Sequence, residues 1–115
     1  MIVRIWRGNT PLEKAEAYGA LIARTGLNDY AATAGNRGAL ILRREDQGSA
    51  EFLVVSFWDD VEAIKRFAGQ DPSRSVYYPE DDEYLLGKEP RVAHYEVVAG
   101  SVPSAGAGER LAQPA

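Results

Sequence analysis

His94 is the one histidine in the chain and the only side chain here whose ordinary pKa lies near neutrality. It alternates with Val92, Glu96 and Val98 along an apolar stretch, while Ala93, Tyr95 and Val97 take the opposite side. A histidine at such a position suits a general base facing a cavity. The alternative is a histidine satisfied by hydrogen bonds at a sheet face or a subunit interface. Arg4 lies between Ile2 and Trp6 in a second apolar stretch. A covered arginine needs a carboxylate or a cavity, so it reads either as an ion-pair partner, with Glu96 the candidate, or as a charge that orients a substrate. Trp6 and Trp58 read as walls of a pocket for a flat molecule or, alternatively, as core. Tyr77 and Tyr78, just before Pro79, offer phenols to a quinone or enolate oxygen, or serve as a latch.

Several chemistries find no support. Cysteine is absent, which removes disulfides, thiolate nucleophiles and zinc–thiolate sites and fits a reducing cytoplasm. The acids of Pro79-Glu-Asp-Asp-Glu83 suit the first turn of a helix, and no second ligand cluster accompanies them, so no metal is expected. Asn36-Arg37-Gly38 reads as a turn. Neither a Rossmann glycine pattern nor a P-loop occurs, and no strand–elbow motif turns a serine into a nucleophile beside His94. The net charge of −4 with scattered basic residues favours neither nucleic acid nor an anionic membrane. No window is apolar enough to span a bilayer.

The elements that must hold these residues follow from periodicity. Met1–Arg7 is β-rich and ends at Gly8-Asn9. Thr10-Pro11-Leu12-Glu13 has the form of a capping box with proline at the first helical position, and the helix should run to about Gly26. Leu27–Ala34 is a connection with room for an extra turn. Ala39–Arg44 is a second strand, and Asp46-Gln-Gly48-Ser49 turns it into a third, Phe52–Trp58. A second helix starts at an Asp59-Asp60 cap, with Val61, Ile64, Phe67 and Ala68 on one stripe, and ends at 69–73. A short helix should start near Pro79, and Val92–Ala99 is the last strand. Residues 100–115 read as a flexible tail, leaving 1–99 as a single α+β domain in β-α-β-β-α-β order, the ferredoxin-like pattern with a four-stranded antiparallel sheet.

The third strand is the most telling. Phe52, Val54 and Trp58 face one way and Leu53, Val55 and Phe57 the other. A strand apolar on both sides must be covered on both sides, and two helices can cover only one. The bare face predicts a homodimer, two sheets packed face to face.

The segments Ile2-Val-Arg-Ile-Trp-Arg7, Ser56-Phe-Trp-Asp-Asp-Val-Glu-Ala-Ile-Lys-Arg-Phe67 and His94-Tyr-Glu-Val97 resemble the antibiotic biosynthesis monooxygenase (ABM) domain family of the dimeric α/β-barrel superfamily. The resemblance covers about residues 1–99. It implies a homodimeric, cytoplasmic monooxygenase acting without a cofactor on a small aromatic or polyketide-like molecule. His94 would be the base, Tyr77 and Tyr78 oxyanion or stacking contacts on a loop over the cavity, Trp58 and Trp6 pocket walls, and Arg4 an orienting charge. Heme is disfavoured, because the heme-degrading branch carries a histidine after the second helix and a tryptophan within it, where this chain has Tyr77, Tyr78 and Phe67. A cyclase or isomerase on the same fold, or a non-catalytic dimeric small-molecule-binding protein, are the rival readings.

Overall fold

A computed structural model describes residues 1–101; the expected tail at 100–115 lies almost wholly outside the described residues. Strand β1 (Ile2–Pro11) leads through a single 3₁₀ turn (Leu12–Lys14) into α1 (Ala15–Arg24) and α2 (Gly26–Ala31), followed by β2 (Asn36–Asp46), β3 (Ser49–Trp58), α3 (Val61–Ala68), a second 3₁₀ turn (Pro79–Glu83) and β4 (Ala93–Glu96). The four strands form one antiparallel sheet in the order β2-β3-β1-β4. This is the expected ferredoxin-like arrangement.

Local chemistry explains most boundaries. Asp60, in extended conformation, accepts the Ala63 amide at 2.9 Å and starts α3 as a helix cap should. Gly69, at φ 92°, stops it. The β2–β3 hairpin turns on Gln47 and Gly48, both with positive φ, the conformation that matches the twist of a two-residue hairpin. Thr25 separates α1 from α2: its hydroxyl donates to the Leu21 carbonyl at 2.8 Å, a back-bond that bends helices.

Four boundaries differ from expectation. Gly8-Asn9 does not break β1, because Gly8 lets the Trp6 ring lie along the strand; a Cβ there would sit 2.3 Å from Trp6 Cη2. The Thr10 capping box does not form. Thr10 is fully buried in the strand and its hydroxyl donates to the Pro11 carbonyl instead. Asn36-Arg37-Gly38 opens β2 through a register shift rather than forming a free turn. At the other end β4 is only four residues long, shorter than the apolar run that suggested it.

The helix-facing side of the sheet holds the core: Trp6, Phe52, Val54 and Trp58 pack against Tyr18, Leu21, Ile22, Tyr30 and Ile64. Aromatic contacts thread through it, Tyr18 edge-on to Phe52 at 5.3 Å and Tyr30 to Phe67 at 4.6 Å. The other face carries no helix. Leu40, Val55 and Ile5 form one row across it, Leu42, Leu53 and Arg7 the next. Leu42 and Tyr95 are plainly exposed there. Glu51 sits on the same face, bound by Arg7 at 2.8 Å and by Arg44 at 2.7 Å.

Candidate functional site

The strand register gathers the polar residues of the helix-facing side into one row. Ser56 on β3 is opposite Arg4 on β1, and Arg4 is opposite His94 on β4. Tyr30 reaches the row from α2. A cation, an imidazole and two hydroxyls thus interrupt a face that is otherwise hydrocarbon.

Arg4 is 1% exposed. Its Nη2 donates to the Arg74 carbonyl at 2.7 Å, and its guanidinium lies 5.4 Å above the centre of the Phe67 ring, within cation–π range. Burial pulls its pKa down, and the Tyr30 phenol offsets part of that. Glu96 does not pair with it. Glu96 stands opposite Ile2, one row away, and is exposed, so the ion pair expected from the sequence gives way to a carbonyl and an aromatic ring.

His94 is half-buried and its Nε2 has no hydrogen-bond partner. Burial first, and then the Arg4 charge, hold its pKa below the ordinary value. The imidazole is therefore neutral at neutral pH and able to accept a proton. It also lines a groove of about 540 Å³ with Met1, Ile2, Val61 and Tyr95 and four carboxylates, Asp59, Asp60, Glu62 and Glu96.

The aromatic candidates divide by what their polar atoms do. Trp58 is fully buried, its indole N–H donating to Ser56 Oγ at 2.9 Å; Ser56 in turn donates to the Arg4 carbonyl at 3.4 Å. That serine is engaged in holding the core together. Trp6 is also buried, packed between Tyr18 and Tyr77, but its indole N–H has no partner. Tyr77 donates its hydroxyl to the Glu89 carbonyl at 2.5 Å. Tyr78 donates to the Asp29 carboxylate, and burial together with that carboxylate pushes its pKa up. Tyr78 therefore ties the segment between α3 and β4 to α2, while Tyr77 braces that segment internally. Asp81 supports the same segment, accepting from the Tyr78 amide at 2.7 Å and the Tyr18 hydroxyl at 3.1 Å. Among the described residues no cluster of three or more His, Asp or Glu is arranged to hold a metal.

Sequence reasoning passed over Tyr30, Phe67 as the floor beneath Arg4, and Ser75. Tyr30 was hidden because it belongs to the stretch read as a connection; its only signal was an aromatic in a polar segment.

A ferredoxin-like fold is what this architecture defines, and two solved structures share it. An MhuD variant with two manganese protoporphyrin IX bound per active site superimposes with a TM-score of 0.61 at 19% identity, over 90% of this chain and 100% of that one. A Bacillus cereus protein provisionally assigned as an antibiotic biosynthesis monooxygenase gives a TM-score of 0.60 at 14% identity, over 91% and 98%. No protein-family profile and no curated protein matches the sequence.

The MhuD variant corrects one expectation. A cofactor-free protein was inferred from the sequence, yet a chain of this fold carries porphyrins in its active site, so the fold is no ground for excluding a cofactor. The residues present here can be compared with that group directly. Between helices and sheet, Trp6 covers Gly8 and contacts Tyr18 and Tyr77, while Tyr30, Trp58 and Phe67 stack on one another. As packed, these tilted and edge-on rings leave no flat slot of macrocycle size between helices and sheet.

Proposed function

We propose that this protein is an ABM-type monooxygenase acting on a small aromatic or polyketide-like phenol or enol, and that it works as a homodimer joined through the bare face of its sheet. The carrying observation is the Arg4–His94 row: a base held neutral beside a cation held dry. His94 takes the proton from the substrate. Arg4 stabilises the developing oxyanion, an interaction that strengthens as water is excluded. Trp6 forms the wall next to the oxyanion, Trp58 supports it from behind, and Tyr77 and Tyr78 hold the covering segment. The anion so formed is the electron-rich species that oxygenation requires. Absence of cysteine supports work in a reducing compartment such as the cytoplasm.

The open face supports the dimer. Its apolar rows are of the kind that obligate homodimers bury, in interfaces often exceeding about 2,000 Å². Among the described residues no helix is long and apolar enough to cross a membrane.

An oxygen electrode tests the activity. With a turned-over phenol or enol, oxygen falls in step with product, and His94→Ala slows the reaction by about 10²–10⁴-fold. Turnover without oxygen uptake indicates a cyclase or isomerase instead, and unchanged turnover by the variant removes His94 from the role of base. A second reading has its own support: the aromatic filling between helices and sheet favours a non-catalytic dimeric small-molecule-binding protein, for which ligands bind and leave unchanged.

A further inference from the structure

Four buried side-chain polar atoms among the described residues have no hydrogen-bond partner: Arg4 Nε, Trp6 Nε1, Ser75 Oγ and His94 Nε2. They are not scattered. Arg4 and Trp6 are successive inward-facing residues of β1, His94 is directly across from Arg4, and Ser75 follows the residue whose carbonyl Arg4 holds. Buried polar groups are nearly always paired, so a cluster of exceptions in one place calls for a common cause.

Charge gives that cause a sign. Arg4 is a buried guanidinium, and no carboxylate among the described residues pairs with it. A buried charge without a counter-ion is costly. Two of the unpaired groups, the Arg4 Nε–H and the Trp6 indole N–H, can only donate. Two donors beside an uncompensated positive charge ask for an anion with two acceptor oxygens. Beside them, Phe67, Tyr77 and the Trp6 ring offer an apolar setting for an organic body.

We propose that the Arg4, Trp6, Ser75 and His94 cluster is a buried anion-binding site for an organic anion whose charge is shared by two oxygens, either a carboxylate or the enolate of a 1,3-dicarbonyl. Arg4 Nε and Trp6 Nε1 each bind one oxygen, and Ser75 adds a hydroxyl. His94 lies across from Arg4 and also lines the 540 Å³ groove. The inference deepens the functional reading above and rests on it for the choice of organic anions, but binding is independent of turnover.

The test uses the purified full chain, with tryptophan fluorescence and thermal midpoint as readouts. The probes are benzoate, 5,5-dimethylcyclohexane-1,3-dione (an enolate at neutral pH), and the neutral benzamide and cyclohexanone. The expected result is binding of at least one anion, with its neutral counterpart at least about tenfold weaker. Benzoate binding alone identifies a carboxylate site, dione binding alone an enolate site. Arg4→Gln and Trp6→Phe should each weaken the bound anion, the first by about tenfold or more. Equal binding of neutral and anionic probes, failure of every anion to bind, or full affinity in both variants would each overturn the proposal. Should Arg4→Gln fail to fold, the probe comparison on the wild-type chain and Trp6→Phe still decide. Anion binding is read without oxygen uptake, so it stands even if a turned-over phenol or enol consumes no oxygen and the monooxygenase reading fails.

Discussion

At the scale of single residues, His94 and Arg4 act on each other. The imidazole's pKa is depressed by burial and by the arginine, which has a consequence for stability as well as for chemistry. Between the depressed folded value and the ordinary value of about 6.5, the unfolded chain holds a proton that the folded chain does not. Stability therefore rises with pH through that window and falls as the solution is acidified below about 6.5. In urea melts across this range, wild type should lose stability relative to His94→Gln as the solution is acidified if the histidine is responsible. Parallel curves would trace the loss to other groups. Activity of the wild type should be flat at and above neutrality and fall on acidification, since only the neutral imidazole accepts a proton.

Elements explain why some of this was legible in the sequence and some was not. Alternation of apolar residues marked every strand, and acid or glycine at fixed offsets marked α3 and the hairpin, because those signals act within a few residues. Removing one of them should cost accordingly: Asp60→Ala deletes the α3 cap and should lower stability by about 1 kcal/mol in chemical denaturation. Contacts between distant residues left no such trace. Arg4 seemed to need Glu96, yet a one-row offset in strand register gives it His94 as neighbour and the Arg74 carbonyl as acceptor. Gly8 looked like a strand breaker until the indole lying across it supplied the reason for a residue without a side chain. Gly8→Ala should displace Trp6 and destabilise by about 1–3 kcal/mol, with a shift in tryptophan emission. The segment between α3 and β4, read as a loop and a short helix, is held to the body partly through Tyr78. Tyr78→Phe frees the Asp29 end of that tie, and amides in 74–92 should then exchange faster with deuterium while those of β3 keep their protection.

For the whole molecule, the leading expectation is two copies joined at the bare sheet. Val55 and Leu53 lie in the middle of that face on β3, one of its two central strands. Sedimentation of the wild type should report dimers at micromolar protein, and Val55→Asp should yield monomers or insoluble chain. A well-folded wild-type monomer would refute the face-to-face arrangement. Stability measured at different concentrations should differ as well, since association stabilises by mass action.

If two copies pair as proposed, the clamp of Arg7, Glu51 and Arg44 bears on the interval before they meet. A freshly made chain presents an oily sheet to a crowded cell, where any stray hydrophobic segment competes for it. Most such segments would have to dehydrate ions they cannot match, whereas a twin arrives with the same three charges in the same pattern. Neutralising the clamp, as in Glu51→Gln with both arginines made glutamine, should leave the domain folded yet prone to clump with unrelated chains during expression.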